Sequence, residues 1–206
     1  ASAPEVREAF LDLAERDTDE NRRRQALFFL GQGQGHDAQA MQRILRLAQG
    51  DASAEVQGDA VDVLATYMYK YPEQGPALAR ELLQIGRADA DQVVRVMVVR
   101  GMAVQNAPTE AGPGLLPFLN DGEQDVRLAA AQVLGEVLRP ETRSAILPAM
   151  ETAWRQEQDP YVRRALVFGV VHAGPVDAGP MLQRMLASAG PDQAVDLRDF
   201  LQILQT

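Results

Sequence analysis

The chain of 206 residues contains no cysteine. Disulfides, thiolate catalysis, cysteine-ligated zinc and iron–sulfur clusters are therefore excluded. Tryptophan occurs once, at Trp154, and lysine once, at Lys70, so arginine carries nearly all the positive charge. Histidine is confined to His36 and His172, which lie far apart along the chain, so a shared metal site is not expected. No run approaches the ~18 consecutive apolar residues that span a bilayer; the most apolar stretch, Val93 to Val104, is interrupted by Arg95 and Arg100. No segment alternates with period two, which argues against strands. HExxH, Walker and nucleophile-elbow motifs are absent. Gly31-Gln32-Gly33-Gln34-Gly35 follows a helical pattern rather than a strand, so it reads as a helix terminator and not as a dinucleotide loop. The net charge is −9. An acidic protein repels phosphate backbones, which disfavours nucleic acid as a partner.

The composition is that of an ordinary globular protein, 46% apolar and 24% charged, and it is organised by a repeat. Asp121 to Val137 reads as a polar turn, Val126-Arg127, Ala130 and then Leu134-Gly135. The frame returns at Val162-Arg163 with Leu166 and Val170, at Val94-Arg95 with Val98 and Met102-Ala103, and at Val56-Gln57 with Ala60 and Leu64-Ala65. Arg22-Arg23 with Ala26 and Leu30-Gly31 opens the series, and a weaker copy begins at Val195-Asp196. First positions recur every 32 to 38 residues and tile the chain. Apolar residues four and eight apart share one helical face. A second helical stripe precedes each frame, for example Leu78, Leu82 and Leu83, or Ile146, Leu147 and Met150. Asp- and Ser-bearing turns between the two helices offer caps for the second helix. The small residues Gly31, Ala65, Ala103 and Gly135 are placed to let helices approach closely.

Asp121…Val126-Arg127…Ala130…Leu134-Gly135 and its copies resemble HEAT repeats, as do Pro117 and Pro148 inside first helices. The resemblance spans nearly the whole chain. It implies an all-α fold, an α-α superhelix of about six two-helix repeats. It also implies a single domain, 1–206, with repeats near 1–33, 34–72, 73–106, 107–139, 140–174 and 175–206. The first and last copies depart most from the frame, as the ends of a solenoid do. In such proteins the frame arginine (here Arg95, Arg127 and Arg163) pairs with a neighbouring turn aspartate, for which Asp89, Asp121 and Asp159 stand ready. The resemblance also implies that the second helices line the concave face.

On those helices the arc opposite the core holds the third, sixth and seventh frame positions. Candidate partner-binding residues there are Phe28, Val61, Val96, Val99, Arg100, Leu128, Gln132, Arg164 and Phe168. Two readings compete: the strip is an exposed binding groove, or its sixth positions (Leu27, Val61, Val99, Ala131, Val167) pack sideways between adjacent second helices. Tyr67, Tyr69 and Tyr71 crowd one helix end, and Trp154 reads as core. Arg22-Arg23-Arg24 and Arg163-Arg164 are the basic clusters, read as salt-bridged or solvated rather than as an anion site. The expectation is a non-enzymatic interaction module that holds a protein or peptide segment, with no catalytic residue, metal or cofactor and no membrane association. The alternative is an enzyme or nucleic-acid protein on the same scaffold, a bilin lyase or alkylated-base glycosylase in the resembling proteins. The start, Ala1-Ser2-Ala3-Pro4, reads as a tag remnant or the end of a removed signal peptide, with a cytoplasmic location as the expectation.

Overall fold

A computed structural model describes residues 3–33, 38–105 and 107–203. Among the described residues there are helices and no strands, paired in the order the repeat predicts. The pairs are α1 (Ala3–Arg16) with α2 (Glu20–Gln32), α3 (Ala38–Gly50) with α4 (Ala54–Lys70), and α5 (Gly75–Ala88) with α6 (Gln92–Gly101). Next come α7 (Ala111–Leu115), prolonged by a 3₁₀ turn (Leu116–Asn120), with α8 (Gln124–Glu136); α9 (Arg143–Gln156) with α10 (Pro160–Val171); and α11 (Pro175–Ala187) with α12 (Pro191–Ile203). Packing divides the chain into two compact units, 1–108 and 109–206, each of three helix pairs.

The frame residues build the core of each unit. Val56, Ala60 and Leu64, Val94, Val98 and Met102, Val126, Ala130 and Leu134, and Val162, Leu166 and Val170 are each at most 1% exposed. The stripes of the first helices meet them, Leu82, Ile146 and Leu182 being fully buried, and Trp154 joins the core. The last copy is out of register. Val195 is exposed, and Ala194 and Leu197 turn inward instead, because the helix starts at Pro191 and rotates the stripe by one residue. The two prolines act differently. Pro117 coincides with the change from α to 3₁₀ geometry. Pro148 sits inside an uninterrupted α9.

The first five second helices are started by the same device. The first acid of the turn accepts the N–H two residues on: Asp17 from Asp19, Asp51 from Ser53, Asp89 from Asp91, Asp121 from Glu123, and Glu157 from Asp159. The residue reached in this way is the N-cap, and Asp19, Ser53, Asp91 and Asp159 each cap the following helix with a side-chain oxygen. The frame arginine then folds back on its own turn. Arg127 donates to the carbonyls of Asp121 and Gly122, and Arg95 and Arg163 repeat the contact with residues 89–90 and 157–158.

Arg23, in the first copy, and Arg127 also reach the turn acid of the following repeat in bidentate fashion. Arg23 binds Asp51 at 3.1 and 2.9 Å, and Arg127 binds Glu157 at 2.7 and 3.2 Å. For Arg127 the acceptor is therefore Glu157, not Asp159, because the N-cap oxygen of Asp159 is spent on Tyr161 and Val162. Burial pushes the Glu157 carboxyl up. The Arg127 guanidinium and the N–H groups of Asp159 and Gln158 outweigh that and hold it below the usual 4.5.

Within each unit, small residues bring neighbouring second helices together. A Cβ on Gly101 would stand 3.3 Å from Ala65 Cβ, and a Cβ on Gly135 only 2.8 Å from Gly169 Cα. Ala103, expected in this role, lies exposed beyond the end of α6, and Gly101 takes its place.

Three substitutions test this account of stability. Gly135→Ala should destabilise by about 1–3 kcal/mol, because the added methyl meets α10 backbone that must shift and this outweighs the ~1 kcal/mol of helix propensity that alanine gains. Gly50→Ala, where nothing lies within 4 Å, should be neutral or slightly stabilising; urea midpoints report both. Arg127→Ala should cost about 2 kcal/mol near neutral pH by stranding the buried Glu157 carboxylate. A carboxyl whose folded value is lowered contributes stability above its ordinary value and loses it as pH falls through the lowered one. The deficit of the variant should therefore narrow as pH falls below the ordinary carboxylate range, as measured by denaturation at stepped pH.

Candidate functional site

The sixth frame positions do not face solvent. Leu27, Val61, Val99, Ala131 and Val167 are all 0% exposed, so Val61 and Val99 are not partner-binding residues. The reason is the close stacking of second helices within each unit, which turns this position into the seam between neighbours. Val96 is half-buried. The surface left over is made by the third and seventh positions and by the residues one turn further on.

In the first unit this surface holds two shallow grooves. One, of about 750 Å³, runs between α2 and α4 and is lined by Phe28, Phe29, Asp62, Thr66 and Tyr69 among others. Phe28 is 61% exposed and packs edge-on against Phe29, which stacks on Phe10 at 5.2 Å. The other, of about 550 Å³, runs between α4 and α6 and includes Arg100, Asp62 and Met97. The charges around the first are largely spent internally. Arg22, Arg23 and Arg24 pair with Asp17, Asp51 and Asp59, and Lys70 donates to the carbonyls of Gly31 and Gly33, closing the end of α2. At the back of this unit Arg43 gathers Glu8, Asp12 and Glu15 from α1, and its hydrogen bond holds the Glu15 carboxyl below the ordinary range. Of the three tyrosines, Tyr67 is buried, Tyr71 is half-buried, and Tyr69 is the exposed one.

The second unit brings four of the expected residues into one groove of about 840 Å³. Leu128 and Gln132 come from α8, and Arg164 and Phe168 from α10. The sequence reading missed Tyr161, His172 and Phe200, as well as Gln124 and Glu136, which line the same groove. Tyr161 is 71% and Phe168 54% exposed. Phe168 makes edge contacts with His172 at 4.6 Å and with Phe200 at 6.3 Å. Two helical ladders form the walls: Gln124, Leu128, Gln132 and Glu136 at every fourth residue of α8, and Tyr161, Ala165, Phe168 and His172 along α10. The three-to-four spacing of the α10 ladder was present in the sequence, but it begins before the first frame position and ends beyond the last. His172 caps the C-terminal end of α10, with Nδ1 3.0 Å from the Phe168 carbonyl oxygen. His36 lies outside the described residues. Among the described residues no group of three His, Asp or Glu side chains is placed to hold a metal ion, and no helix is long and apolar enough to cross a membrane.

Paired helices, each second helix packed on the next within a unit, define an all-α repeat protein. Residues 79–170 match the HEAT repeats family. The fold is similar to a chain in a structure of microtubule plus-end tracking by XMAP215, CLIP-170 and EB1 (TM-score 0.64, 15% identity, covering 95% of this chain and 89% of that one). It is also similar to the archaeal HEAT-like repeats protein from Thermococcus onnurineus NA1 (TM-score 0.57, 11% identity, 100% and 97% covered). A designed armadillo repeat protein superposes equally well (TM-score 0.57, 18% identity, 98% and 100% covered). A comparison with curated proteins returns no match. The fold is that of an α-helical repeat protein, and the match to HEAT repeats covers its central stretch, residues 79–170.

Proposed function

We propose that this chain is a non-catalytic interaction module and that the α8–α10 groove holds an extended segment of a protein partner. The observation that supports this most directly is the exposure of two aromatic rings, Tyr161 and Phe168, in one groove with glutamines on the facing helix. A ring left in water is an unspent apolar contact, and aromatic side chains dominate the energetics of interfaces. Gln124 and Gln132 each carry both donors and an acceptor, which suits them to the alternating N–H and C=O groups of an extended backbone. The α2–α4 groove with Phe28 and Tyr69 offers a second, more polar contact surface in the other unit.

Phe168→Ser tests this reading. The ring is more than half exposed, so fold stability should move by under about 0.5 kcal/mol. The partner recovered from source-cell extract on the unaltered chain should bind the variant at least about tenfold more weakly in calorimetric titration, from the lost burial of an aromatic face. Equal affinity with retained melting would reject the groove.

A further inference from the structure

We infer that the segment held in the α8–α10 groove is acidic at its centre, with a carboxylate flanked by bulky apolar side chains. The inference rests on the docking reading above and adds the chemistry of the partner. Arg164 stands on α10 between Tyr161, three residues before it, and Phe168, four residues after it, so one turn of helix separates the cation from each ring. It is exposed and lines the groove. Among the described residues no carboxylate lies within ion-pair distance of it.

Other basic residues of the unit are committed elsewhere. Arg163 is folded onto the carbonyls of Glu157 and Gln158, Arg127 is bound to Glu157, and Arg143 to Asp177. Arg155 and Arg184 share Glu151. Arg164 is thus a guanidinium held ready between two apolar contacts in a chain of net charge −9. A guanidinium beside an apolar surface binds a carboxylate by charge-assisted, bidentate hydrogen bonds, and partial desolvation strengthens the pair.

Glu136, the acid of the groove, does not cancel this charge. It follows Leu128, the residue at the frame position equivalent to Arg164, by eight residues, or about 12 Å of helix. It sits at the His172 end, where it repels a second acid and so confines the preference to the middle of the segment. A phosphate backbone fits poorly, since it draws its affinity from several cations and the groove offers one arginine.

The test is a random twelve-residue peptide library, displayed and selected on the full chain, on Arg164→Glu and on Phe168→Ser, with recovered peptides titrated by fluorescence anisotropy. The unaltered chain should enrich Asp or Glu between two bulky apolar residues. Arg164→Glu should bind those peptides at least tenfold more weakly and enrich Lys or Arg in place of the acid. Peptides that require Phe168 but show no acid preference, or bind Arg164→Glu equally well, would overturn this inference and leave the docking reading standing. Peptides indifferent to both substitutions, or no enrichment over the bare support, would overturn both.

Discussion

A two-helix repeat cannot bury its own apolar face, and that constraint decides which side chains remain for anything else. Within each unit the second helix of one repeat is covered by the second helix of the next. The approach is close enough that Gly135 meets Gly169 with no room for a Cβ. This closeness draws Ala131 and Val167 into the seam, as it draws Leu27, Val61 and Val99 in the other unit. What survives at the surface is a narrow set of positions on either side of the seam. Those on α8 and α10 carry rings, amides and the Arg164 guanidinium, and those on α2, α4 and α6 carry rings and charged side chains.

The basic residues divide along the same line. A frame arginine begins one turn inside its helix, where its head falls back onto the free carbonyls of the preceding turn. That leaves its other nitrogens for the turn acid of the next repeat, as Arg23 does with Asp51 and Arg127 with Glu157. Such pairs fix the register of one repeat on the next more than they add net stability, because each charge gives up water to form them. A cation used in this way cannot also receive a ligand. The residue immediately after it, Arg164 in the fifth repeat, points about 100° further round the helix and escapes the turn altogether. Two adjacent arginines therefore have unrelated roles for a purely geometric reason.

The helical frame was legible because it is redundant. Four copies of Val-x₃-Ala/Val/Leu-x₃-Leu/Met/Val specify the same inward face, and burial follows them closely. The last copy misled because Val195 mimics the frame while Pro191 resets the start of the helix. The groove was only half legible. Leu128, Gln132, Arg164 and Phe168 followed from helical angles alone, whereas Val61 and Val99 obey the same angles and are buried. An angle around one helix does not reveal how closely the next helix lies. That distance is set by small residues at the crossing, and their effect is cooperative between two segments some thirty residues apart. Tyr161 and His172 were missed for a simpler reason: they lie at the helix ends, outside the span in which the repeat is periodic.

This separation also explains how one fold can be shared by chains at 11 to 18% identity. The frame positions answer to the adjoining repeat and are held by packing. The third and seventh positions that stay exposed answer less to the adjoining repeat, so a change there costs little stability and alters the surface directly. In this chain those free positions on α8 and α10 hold Leu128, Gln132, Arg164 and Phe168. Under the docking reading proposed above, this set, apolar contacts around a cation with amides opposite, is the surface that would meet a partner.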